Sequence, residues 1–153
     1  MKKIMKFVKG LDAVADAFSG TVYSDVISMK EHKTIVFLVH KGVGATGTST
    51  ITIQACDDVT PSNTSAVPFR YQEITSGDTA GAITDATTAG FTTTAGSSQL
   101  YAIYVDASDL ASSGYGYVRL KAVEVANDPV LGGIIAILDD AKYEQEVQNT
   151  AIV

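Results

Sequence analysis

Apolar and polar residues alternate along much of the chain with the period of two that is typical of β-strands. In STITIQAC, residues 49–56, Ile51 and Ile53 alternate with polar side chains. KTIVFLVH, residues 33–40, is instead a continuous β-branched and aromatic run, which indicates a buried strand. Similar runs between turn residues predict further strands at 21–28, 67–74, 99–106, 115–125 and 132–138, with a weaker one at 90–94. About eight short strands with little helix predict a mostly β chain that forms an antiparallel β-sandwich or a jelly-roll-like domain.

The first twenty residues have a different pattern. Ile4, Phe7, Val8 and Leu11 follow the spacing i, i+3, i+4, i+7, and lysines crowd the first ten positions. This pattern is typical of an amphipathic helix, and it predicts an N-terminal arm that could be helical. The predicted organisation is a basic amphipathic arm at 1–20, a β-sandwich at 21–140 and a C-terminal tail at 141–153.

Strand parity predicts the core of the sandwich. We expect large apolar side chains from several strands to be buried, and their truncation to destabilise the fold. The residues predicted to be buried are Phe37, Ile51, Ile53, Leu120 and Ile135.

The charge and composition of the chain argue against nucleic acid and membranes as partners. The chain has 153 residues, a net charge of −6 and only 18% charged residues. Between Gly42 and Val118 the only basic residue is Arg70, so nucleic acid is not an expected partner. No run of about 18 apolar residues occurs, and no membrane partner is expected. The single cysteine, Cys56, cannot form an intrachain disulfide.

The stretch HKGVGATG, residues 40–47, contains the spacing G-x-G-x-x-G of dinucleotide-binding loops. That spacing is informative only where a strand precedes it and a helix follows, because the helix N-terminus binds the pyrophosphate. A strand precedes the glycines, but the Thr-rich segment after Gly47 alternates as a second strand. The sequence therefore predicts a hairpin loop here, and no cofactor.

Residues that could support catalysis or bind metal are sparse. Neither His32 nor His40 has another ligand at a metal-binding spacing. Asp57 with Asp58 is typical of a turn, and Asp106 with Asp109 of a helix cap. We expect no catalytic residue and no metal site, and therefore no enzyme.

Two features could contact a partner. One face of the predicted strand 115–125 carries an aromatic and basic row, formed by Tyr115, Tyr117, Arg119 and Lys121. Such a row is suited to docking, to sugar stacking or simply to cross-strand pairing. The Gly-, Ala-, Thr- and Ser-rich segment 76–98 is long for a turn and contains one aromatic residue, Phe91. Such a segment is either a solvated loop or a docking loop.

Three segments resemble a known class of protein. GVGATGTSTITIQACDDVTP (42–61), PFRYQEITSGDTAGA (68–82) and GYGYVRLKAVEVANDPVLGGIIAIL (114–138) look like segments of small virion structural proteins of tailed bacteriophages. The resemblance extends over residues 11–138, but it supplies no matched functional residues. Several families of this size are capsid decoration, or cement, proteins.

The resemblance implies a protein that binds the major capsid protein lattice, stabilises the expanded shell and associates with other copies of itself. It further implies a location in the virion, after assembly in the host cytoplasm. The alternatives are a head–tail connector or tail structural protein, and a carbohydrate-binding β-sandwich that uses Tyr115 and Tyr117. The residues expected to contact a partner are Ile4, Phe7, Val8, Leu11, Phe91, Tyr115, Tyr117 and Arg119.

Overall fold

A computed structural model describes residues 4–43, 46–96, 98–143 and 147–152. Two antiparallel sheets pack against each other, as the alternating strands predicted. The strands are β1 (Lys6–Val14), β2 (Thr21–Tyr23), β3 (Ile27–Ser28), β4 (His32–Lys41), β5 (Thr48–Cys56), β6 (Thr64–Val67), β7 (Phe69–Ser76), β8 (Thr79–Ala80), β9 (Thr84–Ala86), β10 (Phe91–Thr92), β11 (Leu100–Asp106), β12 (Tyr117–Ala126) and β13 (Gly132–Ala141). One 3₁₀ helix, Ala107–Ser113, follows β11. The predicted β-sandwich is confirmed.

The pairing of the strands is mostly non-local. In the first sheet the order is β1-β13-β4-β11-β7-β8, with β9 also paired to β7. In the second sheet the order is β10-β5-β12-β2, with β3 also paired to β12 and β6 to β5. Strands that are neighbours in sequence, such as β4 and β5, therefore lie in different sheets.

The core lies between the inner faces of the two sheets. Phe37 from the first sheet and Ile51, Ile53 and Leu120 from the second are fully buried, as predicted. The prediction for Ile135 is wrong, since half of this residue is exposed. Its neighbour Ile134 is the buried one. Both positions of this strand are apolar, so alternation alone could not decide which of them faces inward.

The N-terminal segment is a strand and not a helix. β1 pairs with β13 along most of its length, and Val8 lies opposite Ala136 in the core. The register shifts around Gly10, where an added Cβ would lie 3.2 Å from the Ile134 side chain. A glycine costs a helix interior roughly 1 kcal/mol, whereas it suits a bulge packed closely on a neighbour. Farther along, Phe18 is buried in the core, so residues of the predicted arm belong to the sandwich.

The glycine-rich connection after β4 is not a hairpin. β4 belongs to the first sheet and β5 to the second, so this connection passes from one sheet to the other. A Cβ at Gly47 would overlap the carbonyl oxygen of Asp128, which explains the need for glycine there. Gly44 and Ala45 lie outside the described residues. The strand predicted after Gly47 is confirmed as β5. A dinucleotide-binding loop would be followed by a helix at this position.

The described part of the C-terminal tail packs on the sandwich. Ala151 is buried, and its carbonyl oxygen accepts a hydrogen bond of 2.7 Å from the backbone N–H of Ser28. The Gln148 side chain donates to the carbonyl oxygen of Ile4 at 3.0 Å. The tail therefore closes the end of the sandwich where β1 begins.

Candidate docking surface

The outer face of the first sheet is mostly apolar across its three central strands, β13, β4 and β11, which β1 and β7 flank. Residues directly opposite each other in an antiparallel pair share a face, so the strand register defines rows across the sheet. The outward rows are Phe7, Ile137, Val36, Tyr104 and Arg70; then Lys9, Ile135, Leu38, Ala102 and Gln72; then Gly133, His40, Leu100 and Ile74. We call these three rows the docking face.

The exposed apolar side chains of the docking face lie toward β1 and β13. Phe7 is 64% exposed and Ile135 is 50% exposed, whereas the apolar residues of β4 and β11 are shielded by their neighbours. The charged side chains of the rows, Lys9 and Arg70, lie at opposite edges. Lys9 pairs with Asp12 and Arg70 with Asp106, each at 3.2 Å. The centre of the face is thus apolar, and its charges are paired at the edges.

An apolar groove of about 610 Å³ lies at one end of this face. Its floor includes Gly133, and its walls include Leu11, Leu100 and Leu131. A Cβ at Gly133 would lie 3.0 Å from the carbonyl oxygen of Leu11, so the glycine lets the β1 backbone approach closely. Leu131 is 48% exposed at the rim. The groove has the concave, mostly apolar form that protein side chains dock into.

The outer face of the second sheet is polar by comparison. On β5 it presents threonines and Gln54, and on β12 it presents Tyr117, Arg119 and Lys121. Three of the four residues of the predicted row therefore share a face, whereas Tyr115 precedes the strand. Arg119 donates to Gln54 at 2.9 Å, and its guanidinium lies 4.0 Å from the centre of the Tyr23 ring. The polar side chains of this face therefore contact one another.

Lys30 covers the aromatic part of the same row. Its Nζ donates to the Tyr117 hydroxyl at 2.9 Å and lies 4.6 Å from the ring centre. That hydrogen bond raises the pKa of Lys30. Tyr115 precedes β12 and packs partly buried against the core. The two tyrosines therefore do not form an open pair of rings on the strand.

Phe91 anchors the long loop instead of projecting from it. Its ring stacks on Tyr71 with 3.8 Å between centroids and planes within 2° of parallel. Phe69 and Tyr101 complete the aromatic cluster at 6.1 and 5.5 Å. Among the residues expected to contact a partner, Val8 and Phe91 thus pack inside the domain, whereas Ile4 and Phe7 are exposed and Leu11 lines the groove.

A buried lysine that the sequence did not single out ties two loops to the end of β4. The Lys41 Nζ donates to the carbonyl oxygens of Gly47 at 3.0 Å and Thr94 at 2.8 Å, and to Oε1 of Gln99 at 3.3 Å. Burial lowers the pKa of Lys41, and the charge of Glu73 opposes that shift. Three acceptors match the three hydrogens of an ammonium group, so this lysine has a structural role. The available signal was its parity, which it shares with the core positions Phe37 and Val39.

Three further titratable groups have pKa values shifted by their surroundings. Burial raises the pKa of the Cys56 thiol and lowers the pKa of His32, with the Gln148 amide opposing the shift of the histidine. Asp57 accepts hydrogen bonds from Ser62 and Asn63, which lower its pKa to about 2. This confirms the predicted turn.

The predicted cap is also confirmed, because the Asp109 carboxylate accepts from the backbone N–H of Asp106 at 2.8 Å. Within the described ranges, no group of three or more His, Cys, Asp or Glu side chains could hold a metal ion. Over the same residues, no helix has the length and apolar character needed to cross a membrane.

Comparison of the chain with protein-family models, with curated proteins and with solved structures finds no match.

Proposed function

We propose that this chain is a structural protein of a tailed-phage virion, a decoration protein that binds the major capsid lattice and stabilises the expanded shell. The observation that carries the proposal is the apolar docking face, a surface suited to contact between subunits of an assembly that contains many copies of this chain. The resemblance of three long segments to phage virion proteins supports a place for this chain in the virion.

Such a protein acts by binding alone. A protein that binds only the expanded lattice lowers the free energy of that state by RT ln(1 + [L]/Kd) at each site, about 2.7 kcal/mol when its concentration is 100 times Kd. Summed over many equivalent sites, this stabilisation becomes large without any chemical step. The structural role of Lys41 is consistent with a protein of this kind.

The test uses expanded heads that lack this chain, with unexpanded heads as the control. Addition of the purified protein should give saturable binding of hundreds of copies per expanded head and raise the temperature at which the heads break open. The symmetric shell offers many equivalent sites, whereas a connector ring offers about a dozen. Saturation near a dozen copies would identify the connector alternative, and no binding to expanded heads would contradict a decoration role.

The carbohydrate-binding alternative has less support from the geometry. Sugar stacking needs an open aromatic face, but Lys30 lies over Tyr117 and Tyr115 packs against the core.

A further inference from the structure

We infer that the docking face is the interface of a twofold symmetric dimer, occupied by the same face of a second copy of this chain. The dimer would bring the two first sheets together, with the two second sheets outermost. It would form whether or not the chain decorates a phage head, since only the surface of the domain itself is involved.

The three rows supply about half of the area that a standard dimer interface covers on each partner, so the contact must extend into the groove beside them. Five strands spaced about 4.8 Å apart and three outward rows about 7 Å apart give a flat footprint of roughly 20 by 20 Å. Side-chain relief makes the accessible area larger than this footprint, and Leu131 extends it at the groove. A standard interface covers about 800 Å² per partner, which is about a tenth of the 7878 Å² surface of this domain. The largest apolar patch of a typical monomer is about 300 to 600 Å² and is often a functional surface.

The shape of the face is self-complementary. Phe7 projects from one end of the β1–β13 pair, and the glycine-floored groove lies at the other end of the same two strands. In a twofold interface, residue i of one copy meets residue j of the other, and j meets i. A twofold axis that crosses the strands at the row of Ile135 and Leu38 exchanges these two ends. Each Phe7 ring then faces the groove of the other copy.

The charges also permit contact between two copies of an acidic chain. The three rows hold no carboxylate, although the whole chain has a net charge of −6. Lys9 lies at the edge of the face, paired with the exposed Asp12, and its long side chain can keep its ammonium in water. The next row of the same face carries Asp139 and Asp106, and Asp12 lines the groove, so the carboxylates lie at the margins of the contact.

The experiment measures the mass and the dissociation constant of the purified protein by sedimentation equilibrium at micromolar concentrations. The wild type should sediment as a dimer, twice the 16.0 kDa of one chain. Ile135→Asp places a charge at the centre of the face and should raise the dissociation constant at least 30-fold, the effect of an interface hot spot. Phe7→Ser removes the projecting ring and should weaken the dimer in the same direction.

The matched control is Val125→Asp, the same kind of change at a strand residue of the second sheet that is 61% exposed. It should leave the dissociation constant unchanged. Circular dichroism verifies that each variant is folded, and because Phe7 is mostly exposed its variant tests the interface even if Ile135→Asp unfolds.

Three results would overturn the dimer: a wild type that stays monomeric at 100 µM, Ile135→Asp and Phe7→Ser variants that dimerise normally, or an equal loss with the Val125→Asp control. A monomeric wild type whose binding to expanded heads is abolished by Ile135→Asp would assign the face to the capsid instead. A wild type that forms the dimer but does not bind expanded heads would contradict the decoration role and still support the dimer interface.

Discussion

The adjacent residues Ile134 and Ile135 offer a direct test of which face of β13 points into the core. Ile134 is 1% exposed and contacts the buried cluster, whereas Ile135 is 50% exposed. Replacing Ile134 by Ala removes the equivalent of three CH₂ groups at about 0.8 kcal/mol each, and it also leaves a cavity, so the expected loss is about 3 to 4 kcal/mol. The same change at Ile135 removes side-chain atoms that are already half in water and should cost about 1 kcal/mol.

Urea unfolding of both variants measures this difference. The protein concentration should lie below the dissociation constant of the dimer, so that the cost at Ile135 reports folding alone. For a chain of this length, 1 kcal/mol lowers Tm by about 2 to 4 °C, so Ile134→Ala should melt roughly 6 to 16 °C below the wild type. Equal losses for the two variants, or a larger loss at Ile135, would refute the assigned register of β13.

Three further results are expected. Burial lowers the pKa of His32, so its contribution to stability is complete above the ordinary value of 6.5 and is lost as the pH falls below it; the slope of Tm between pH 7 and 5 should therefore be smaller in His32→Gln, and parallel slopes would contradict this. Gly90→Ala should destabilise by more than about 1 kcal/mol, because φ is +75° and the new Cβ would overlap a carbonyl oxygen of β5, whereas Gly77→Ala, at φ +58° in open space, should cost about 1 kcal/mol; equal denaturation midpoints would count against this packing. Deleting residues 1–10 should lower the unfolding midpoint, since it removes half of β1 and the buried Val8; an unchanged midpoint would show that the segment is a dispensable arm.

The sequence was most informative where one face of a strand is polar. In β5, isoleucines alternate with threonines, and in β12 leucine and valine alternate with basic and aromatic residues, so the strand, its parity and its outer face could all be predicted. The turn at Asp57 and the cap at Asp109 were also predictable. Both depend on hydrogen bonds between side chains and backbone a few residues apart.

The docking face was missed, although its signal is present in the sequence. The segments at 33–40, 99–106 and 132–138 are apolar at nearly every position, which is typical of strands covered on both faces. In the structure these three strands are neighbours at the centre of the first sheet, and the second sheet covers only one of their faces. Their other face is the one assigned here to a second copy.

Pairing between distant segments was decided by the tertiary structure alone. The helical spacing of Ile4, Phe7, Val8 and Leu11 is real, yet β1 is a strand because β13 offers it hydrogen-bond partners more than a hundred residues away. The glycines after β4 could close a hairpin locally, but β4 pairs with β11 and β13 while β5 pairs with β12. Local sequence thus determined most of the long strands but not β1, whose strand conformation depends on β13. The burial of each face, which depends on partners far along the chain, determined where those strands lie.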